Sequence, residues 1–391
     1  MIPGEGESPG AAGRPRVFVS AGDPSGDVHG ALVAQAVKAK QPGAWFYGLC
    51  GPAMRRAGVA QMADSGGFSA IGVASALPKI PKLYALFASL KRHLRANPPD
   101  LVLLIDFPAF NMRLLDYVHA LGLPVLYYFP PASWRRKPSR PAERVARMAT
   151  RVATPFEWSA RVIGELGGSA EWVGHPVLDR YADRPSEARA RGLLSVPLTA
   201  DPVAILPGSR PQEIRYILPL LLAALEKASE TVPDVMPLVS CGPHADRDLL
   251  ERAVASVAPG AVITEDTVSL LSASRAALTK SGTITLDAAA CGVPMVATYA
   301  GSWLDRLQYH LFAKGRIKFI AAPNILLDRE VVPERFARNG TPEHLAEAIA
   351  PLVRDGEARD RQRAELAEAV KLLGSTGATD RVADMVLDMT A

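Results

Sequence analysis

Cysteine is scarce in this chain of 391 residues, which contains only three: Cys50, Cys241 and Cys291. They stand far apart, and their spacing matches neither a zinc site nor a redox pair. Disulfide frameworks are typical of oxidising compartments, so the scarcity of cysteine predicts a protein of the reducing cytoplasm.

Long apolar runs are absent as well. No stretch reaches the roughly 18 apolar residues of a membrane-spanning helix, and no early segment has the charged start and apolar run of a signal peptide. Residues 1–14 consist mainly of Gly, Pro, Glu and Ala and predict a disordered tail. The length of the chain and its hydrophobic content of 48% predict a globular protein of two domains.

Several catalytic signatures are missing or misplaced too. The chain has no full G-x-G-x-x-G, which argues against an NAD cofactor, and its G-x-S-x-G at 6–10 lies in the N-terminal Gly- and Pro-rich segment rather than between a strand and a helix, which argues against a serine hydrolase. His29, His175 and His244 lack metal-ligand spacing. Asp246 and Asp248 have the D-x-D spacing of some metal-binding transferases, but they stand where a helix is expected to begin, and first-turn acids are the better interpretation. The sequence therefore predicts no metal and no cofactor.

Acidic residues are absent from 65–99, a segment that carries five Lys or Arg. A second stretch, 135–151, contains seven Lys or Arg and one Glu. The net charge of +4 is too small to predict nucleic-acid binding by itself. The two basic stretches instead favour an anionic ligand or an anionic membrane surface.

Apolar runs alternate with helical patterns along the chain, which predicts βαβ units, parallel sheets and the α/β class. The predicted strands are 17–20, 45–49, 101–105, 125–128, 151–153, 171–173, 203–206, 236–239, 261–264, 276–278, 295–297 and 319–321. The clearest helices are 26–39, 211–231, 284–290 and 342–354. Charge, Pro and Gly at 183–202 predict a boundary, so we expect domains at 15–190 and 200–360, followed by C-terminal helices at 361–391.

One layout occurs twice. At 16–27, and again at 203–210, an apolar strand runs into a glycine-serine turn and then into a helix. Such a turn offers backbone N–H groups and the positive end of a helix dipole to a phosphate. Two such units in two halves predict two Rossmann-like domains that face each other across a cleft.

The candidate residues of the first half follow two strands. Gly22, Ser25 and Gly26 form the first turn, and Asp27 is placed to cap the helix; a βα turn without a ligand is the alternative. Asp106 follows five apolar residues, at the strand end that faces the ligand crevice of an open α/β sheet. Apolar neighbours would raise its pKa and make it a usable base, whereas capping of the next turn is the alternative.

In the second half, the N–H groups of Gly208 and Ser209 and the guanidinium of Arg210 converge on one helix start, with Glu213 shortly after. The fork of an arginine matches phosphate oxygens, so this set predicts a diphosphate site. The alternative is that Arg210 pairs only with Glu213.

A further helix start follows the strand at 276–278. Ser281, Gly282 and Thr283 offer hydroxyls and N–H groups there, and Asp287 lies about one turn further on, where its carboxylate could hold a ribose diol. An ordinary cap with a solvated Asp is the alternative.

Two segments of the first half suggest an acceptor. Tyr128 and Trp134 lie in an aromatic, proline-rich and cationic segment, 127–137, which fits an acceptor pocket or a rigid surface loop. Residues 78–94 form a basic amphipathic pattern, with leucines at helical spacing from Leu83 to Leu94. Such a stripe packs in a core or lies against lipid.

Taken in order, these segments resemble the lipid-A-disaccharide synthase family from about Val17 to about Leu352. One match alone would be weak, whereas all of them in sequence are specific. The matching segments, with the family pattern in parentheses, are 22–27 (G-E-x-S-G-D), 51–54 (G-G-P-x-M), 71–73 (M-G-hydrophobic), 105–111 (I-D-x-P-D-F-N), 154–157 (L-P-F-E), 173–176 (I-G-H-P), 206–213 (L-P-G-S-R-x-x-E), 281–287 (S-G-T-x-x-L-E) and 323–326 (P-N-L-L).

The resemblance implies a GT-B fold and a metal-free, inverting transfer of a 2,3-diacylglucosamine unit from UDP to a diacylglucosamine 1-phosphate. It implies that Asp106 is the general base on the acceptor hydroxyl. It also implies that UDP is held by Gly208, Ser209, Arg210, Ser281, Gly282, Thr283, Asp287 and Asn324. Acylated substrates imply peripheral contact with the inner face of the cytoplasmic membrane, and a homodimer is compatible with this family.

Some positions depart from the family pattern. Asp23 and Asp287 stand where the family has Glu, and Ala109 replaces its second acid in I-D-x-P-D-F-N. The segment 127–134 shares only part of the family's S-P-S-x-W-A-W-R. These departures bear on the acceptor and its acyl chains more than on the chemistry.

Two alternatives remain at this point. One is a related GT-B transferase or a UDP-sugar 2-epimerase, although an epimerase needs further acids and histidines near the sugar and the sequence places none. The other is a nucleotide-sugar or lipid-binding protein without activity. An assay of UDP release from a mixture of donor and acceptor distinguishes the enzyme implied by the resemblance from these two alternatives.

Overall fold

The computed structural model describes residues 14–64, 80–131, 133–242, 245–255, 257–258, 260–299, 318–336 and 339–391. Apart from Arg14, the predicted tail lies outside these residues, and so do the motif at 71–73 and His244. The chain forms two compact units. The first runs to Asp179 and includes Leu373–Ala391, and the second is Arg180–Leu372.

The first unit is a parallel β-sheet, and helices alternate with its strands in the order of the sequence. Its strands are β1 (Arg16–Ala21), β2 (Trp45–Cys50), β3 (Ala60–Asp64), β4 (Leu101–Ile105), β5 (Val125–Tyr128), β6 (Arg151–Thr154) and β7 (Ala170–Trp172). Its helices are α1 (Pro24–Lys40), α2 (Pro52–Arg56), α3 (Ile80–Ala96), α4 (Pro108–Ala120), α5 (Arg140–Met148), α6 (Glu157–Glu165) and the first part of α7 (Val177–Ala182). The strand order is β3-β2-β1-β4-β5-β6-β7.

The second unit repeats the plan. Its strands are β8 (Asp201–Leu206), β9 (Val235–Ser240), β10 (Val262–Thr264), β11 (Ala276–Lys280), β12 (Met295–Tyr299) and β13 (Glu334–Phe336), in the order β10-β9-β8-β11-β12-β13. Its helices are α8 (Glu187–Leu193), α9 (Pro211–Ser229), α10 (Arg247–Ala255), α11 (Thr267–Ala273), α12 (Ile284–Ala290), α13 (Ala322–Leu327), α14 (Pro342–Val353) and α15 (Glu357–Lys371). A last helix, α16 (Ala378–Thr390), belongs to the first unit.

Both sheets have the doubly wound Rossmann order, in which the direction of strand succession reverses once. The reversal lies between β1 and β4 in the first unit and between β8 and β11 in the second. In such sheets the ligand crevice lies outside the carboxyl ends of the strands at this switch point. The residues that follow β1, β4, β8 and β11 are therefore placed where a ligand is expected.

The sheets are buried on both faces, which explains their long apolar runs. All five residues of β4 are fully buried. Side chains of β1 and β4 alternate between two hydrophobic cores, one shared with α1 and α16 and the other with α4 and α5.

The strands differ from the sequence predictions in three places. Residues 319–321 form no strand, because the Glu334 carboxylate accepts hydrogen bonds from the N–H groups of Ile320 and Ala321. The sixth strand of this sheet is β13, which contains Glu334 itself. The edge strand β3 has no alternating pattern, and the sequence did not predict it.

The division between the units lies at Asp179, before the boundary predicted at 183–202. The Asp179 carboxylate accepts hydrogen bonds from the N–H groups of Gly377 and Thr379, at the start of α16. The next residue, Arg180, pairs with Asp287 of the second unit. The predicted C-terminal helices are thus divided, since α15 belongs to the second unit and α16 to the first.

Among the described residues, no helix is both long and apolar enough to cross a bilayer.

Candidate functional site

Asp106 stands directly after β4 in a strained backbone. Asp106 and Phe107 have φ of 45° and 50°, a conformation that costs about 1–3 kcal/mol per residue outside glycine. The N–H of Asp106 donates to the Tyr128 carbonyl at 3.0 Å. Its carbonyl accepts from Asn111 Nδ2 at 2.9 Å and from the Tyr127 hydroxyl at 3.1 Å. A costly conformation fixed by three bonds is typical of a functional position.

The alternative of Asp106 as a helix cap does not hold. The N-cap of α4 is Phe107, no side chain makes a capping bond there, and Pro108 is the first helical residue. Proline suits that position because its missing N–H would have no partner there. The Asp106 side chain is therefore not used to start the helix.

The surroundings of Asp106 raise its pKa. Burial is the main cause, the negative charge of Asp23 adds to it, and a hydrogen bond from the Phe107 N–H opposes it; together they raise the pKa to about 6. Such a carboxylate is ionised at neutral pH yet basic enough to take a proton. This agrees with the expectation drawn from its apolar neighbours.

The turn after β1 is organised by Asp23. Its Oδ1 accepts from the Gly26 N–H at 2.9 Å and its Oδ2 from the Ser25 hydroxyl at 2.7 Å, so Asp23 is the N-cap of α1. The sequence assigned that cap to Asp27. Instead, the buried Asp27 carboxylate accepts from the N–H groups of Gly51, Ala53 and Met54 and holds the start of α2.

Gly22 brings this turn against the end of β4. A Cβ at Gly22 would lie 2.2 Å from the Phe107 ring, so only glycine fits there. The close contact at this glycine is made by an aromatic ring of the protein itself. Gly22–Asp27 and Asp106–Phe107 together are called the first switch point below.

The aromatic segment after β5 contributes one exposed ring. Tyr128 was a candidate for the acceptor pocket, but it is 1% exposed and belongs to the core beneath α1. Trp134 is 40% exposed, with its ring 4.5 Å from that of Phe156. Of the two predicted residues, only Trp134 is available to a ligand, because Tyr128 is enclosed by core side chains.

The stripe on α3 divides between core and surface. Leu90 and Leu94 are buried in the core, whereas the first half of the helix is partly exposed. There it lines an open groove of about 220 Å³ with α4. The lining residues are Leu83, Tyr84, Phe87, Ala109, Phe110 and Arg113. The lining side chains are apolar except for the Tyr84 hydroxyl and the Arg113 guanidinium, and α4 begins two residues after Asp106.

At the second unit, Glu213 organises the turn after β8. Its Oε2 accepts from the N–H groups of Ser209 and Arg210 at 3.0 and 3.1 Å. Its Oε1 accepts from the Arg210 guanidinium at 3.0 Å and from Lys280 Nζ at 2.7 Å. Burial raises the pKa of Glu213, but the Lys280 ammonium and the other donors outweigh it, so the pKa lies below its usual range. Gly208 has φ of 103°, and a Cβ there would lie 2.2 Å from the carboxylate.

These contacts modify both interpretations of Arg210. The Arg210–Glu213 ion pair is present, but the Glu213 carboxylate also pairs with Lys280. One negative charge therefore faces two positive charges, and Glu213 does not fully neutralise Arg210. The Arg210 side chain remains 34% exposed. We call 207–213 together with 280–287 the second switch point.

Lys280 is a residue that the sequence analysis missed. It is the last residue of β11 and directly precedes Ser281, the first residue of the motif at 281–287. The signal that could have found it is a cation at the carboxyl end of a buried strand, since that end faces the crevice.

Asp287 is buried rather than solvated. Its side chain is 4% exposed, and its Oδ1 accepts from Arg180 at 2.8 Å. Burial raises the pKa of Asp287 above its usual range despite that guanidinium. Ser281 and Gly282 are partly exposed and Thr283 is exposed, so this turn offers polar groups to a ligand.

Asn324 has a different environment from the one predicted. It is fully buried, and its Nδ2 donates to the Val332 carbonyl and to Glu334. Its Oδ1 accepts from the N–H groups of Val331 and Val332. All four bonds of the amide are made within the protein, so Asn324 shapes the loop between α13 and β13.

The D-x-D pair lies at a helix start. The Asp246 carboxylate accepts from the Leu249 N–H at 3.0 Å, immediately before α10. Over the residues that the structure describes, no group of three or more His, Cys, Asp or Glu has a metal-binding arrangement.

Solved structures share the architecture. The glycotransferase of kitacinnamycin is 15% identical with a TM-score of 0.61, covering 97% of this chain and 100% of that one. A putative UDP-N-acetylglucosamine 2-epimerase from Listeria monocytogenes is 12% identical with a TM-score of 0.60, covering 96% of each chain. At these identities the likeness establishes fold alone. The predicted class of two Rossmann-like parallel-sheet domains of the GT-B type is confirmed.

Sequence comparison is more specific. The family model described as Lipid-A-disaccharide synthetase matches residues 17–385. The lipid-A-disaccharide synthase of Anaeromyxobacter sp. (strain K) is 36% identical over 374 residues, 95% of this chain and 97% of the relative. That of Geobacter metallireducens is 33% identical over 384 residues, 97% of this chain and 98% of the relative. The chain belongs to the lipid-A-disaccharide synthase family and is a glycosyltransferase.

Proposed function

We propose that this enzyme condenses UDP-2,3-diacylglucosamine with 2,3-diacylglucosamine 1-phosphate, giving lipid A disaccharide 1-phosphate and UDP with inversion at the anomeric carbon. The observation that carries the proposal is the Asp106 carboxylate, fixed by a strained backbone at a topological switch point with its pKa raised to about 6. Family membership supplies the substrate class.

Asp106 acts as the general base. It takes the proton of the acceptor hydroxyl while that oxygen forms a bond to the anomeric carbon of the donor. The bond from this carbon to the UDP oxygen breaks, and its electron pair leaves with UDP. A base of pKa about 6 is ionised at pH 7 and still has useful proton affinity.

The leaving diphosphate is stabilised at the second switch point. The Arg210 guanidinium, the Ser209 side chain and the polar groups of Ser281–Thr283 are partly exposed or exposed at the carboxyl ends of β8 and β11. Cations and N–H groups placed where charge develops lower the barrier. We therefore assign the donor to the second unit and the acceptor to the first.

The groove between α3 and α4 suits an acyl chain of the acceptor. Its apolar walls are built by residues that include Ala109 and Phe110, close in sequence to Asp106, and Arg113 lies at its edge. Exposed Tyr84 and the cations Arg92 and Arg95 lie on the same helix. We infer that α3 contacts the anionic inner face of the cytoplasmic membrane peripherally, from which acylated substrates are drawn.

The test is turnover with defined substrates. Mixing the UDP-sugar with the monosaccharide phosphate should release UDP and form a disaccharide, and neither product should form when the acceptor is omitted. Formation of a 2-epimer of the UDP-sugar, or binding without turnover, would contradict the proposal.

A further inference from the structure

Lys280 is not among the residues that family resemblance assigns to UDP, yet its side chain lies between the two predicted phosphate turns. A Cβ placed on Gly208 would be 3.0 Å from Lys280 Cδ, and a Cβ on Gly282 would be 3.5 Å from its Nζ. The stem therefore passes over the glycine of one turn, and the ammonium ends beside the glycine of the other. Side chains at these two positions would crowd Lys280.

The charges around Lys280 leave a positive surplus. One carboxylate, Glu213, faces two cations, since its Oε1 is 2.7 Å from Lys280 Nζ and 3.0 Å from Arg210. The other acid of this switch point, Asp287, pairs with Arg180 instead. A cluster of two cations and one anion attracts an incoming diphosphate, and the ammonium still has donor capacity beyond its bond to Glu213.

We propose that Lys280 is a second cationic ligand of the donor's diphosphate, and that Glu213 holds its ammonium in position between Gly208 and Gly282 before the donor binds. This inference rests on the proposed function and adds a residue to the donor site. The β-phosphate gains a contact at the moment when negative charge accumulates on it, so Lys280 serves both binding and departure of UDP.

A purely structural role is the competing explanation. Lys280 has a side chain that is only 17% exposed, and its ammonium neutralises a buried carboxylate. In that case its removal would act only through an unpaired Glu213, and removing the charge of Glu213 as well would restore the protein. The two roles therefore differ in a double-variant comparison.

The experiment measures the affinity of the full chain for UDP, UMP and uridine by calorimetry. Lys280→Met keeps the aliphatic stem and removes the charge. We expect its UDP affinity to fall roughly 10- to 100-fold, as for a lost charge-assisted hydrogen bond. UMP affinity should fall less, and uridine affinity should not change. Lys227→Met is the matched control, because Lys227 pairs with Glu343 on an exposed surface of the same unit.

Two further variants, Glu213→Gln and Glu213→Gln/Lys280→Met, distinguish the ligand role of Lys280 from the structural role. A neutral amide at position 213 needs no counter-ion, so folding of these variants does not depend on the Lys280 charge. Weaker UDP binding by the double variant than by Glu213→Gln supports the proposal. Equal UDP binding by those two, or an equal loss for UMP and UDP, overturns it. If the wild type itself does not bind UDP, the proposed function is contradicted as well. If the wild type binds UDP and the two variants bind it equally, only the role of Lys280 is contradicted.

Discussion

The two switch points occupy the same place in two sheets of the same strand order, but their electrostatics are opposite. At the first, Asp106 and Asp23 are close enough for one charge to raise the pKa of the other. In the described part of the chain, no cation is paired with the Asp106 carboxylate. At the second, one carboxylate is shared by Arg210 and Lys280, and its pKa is lowered. Topology thus determines where ligands are expected to meet the sheet, and a few side chains decide the sign of the charge at that place.

The largest expected effect on this contrast between the two switch points comes from removing the basic carboxylate of Asp106. Asp106→Asn and Asp106→Ala should lower turnover by roughly 10²- to 10⁴-fold, because proton transfer in the transition state is lost. UDP-sugar affinity should stay close to that of the wild type, since we assign the donor to the other switch point. Single-turnover kinetics and calorimetry measure the two effects, and turnover like that of the wild type would remove Asp106 from the mechanism.

Removal of a cation from the second switch point should have the converse effect. Arg210→Ala is expected to weaken UDP binding roughly 10- to 100-fold and to slow turnover as well. Arg247→Ala is the control, because Arg247 is exposed on α10 and pairs with Glu251 and Glu265. Unchanged UDP affinity and rate in Arg210→Ala would argue against the diphosphate role.

The raised pKa of Asp106 sharpens the comparison through pH. Since the ionised form is the base, kcat/KM should fall about tenfold per pH unit below about 6 and level off above it. The residual activity of Asp106→Asn should lack this acid limb. An acid limb near pH 4 in the wild type would contradict the effect of burial on this carboxyl group.

The smallest expected effect concerns stability. Because folding raises the pKa of Asp106 from 3.8 to about 6, the native state binds this proton more tightly than the unfolded state. The cost of keeping the group ionised is fully present above about pH 6 and absent below pH 3.8. Asp106→Asn should therefore raise the free energy of unfolding by about 3 kcal/mol at pH 8.

Asparagine also tolerates positive φ, so this substitution keeps the backbone at the end of β4. Urea unfolding at pH 8 and pH 4 measures the difference between the variant and the wild type. A gain of equal size at both pH values would show that something other than ionisation of Asp106 is responsible.

The sequence predicted the parts of the fold that depend on local pattern. The strands at 101–105 and 125–128 are confirmed because continuous apolar runs bounded by polar turns allow few other structures. Asp27 and Asn324 show the limit of such reasoning. Both lie in family-like motifs, yet their polar atoms hold N–H or carbonyl groups of segments that come close only after folding.

Lys280 shows the converse case, because the sequence analysis did not assign it to the site and the fold brings it there. In sequence it is one cation between a strand and a turn, and nothing local connects it to Glu213, which lies 67 residues earlier. The pairing of β8 with β11 brings the two together. Contacts of this kind follow from sheet order, which local periodicity does not encode.

The placement of α16 affects how the protein is made. Val382, Ala383, Met385 and Val386 complete the core beneath β1 and α1, although residues 180–372 are synthesised in between. During translation, the N-terminal unit therefore waits with an uncovered apolar strip while the entire second sheet leaves the ribosome. A chain interrupted shortly before residue 378 would contain every residue discussed at both switch points and would still expose this strip to aggregation and proteolysis.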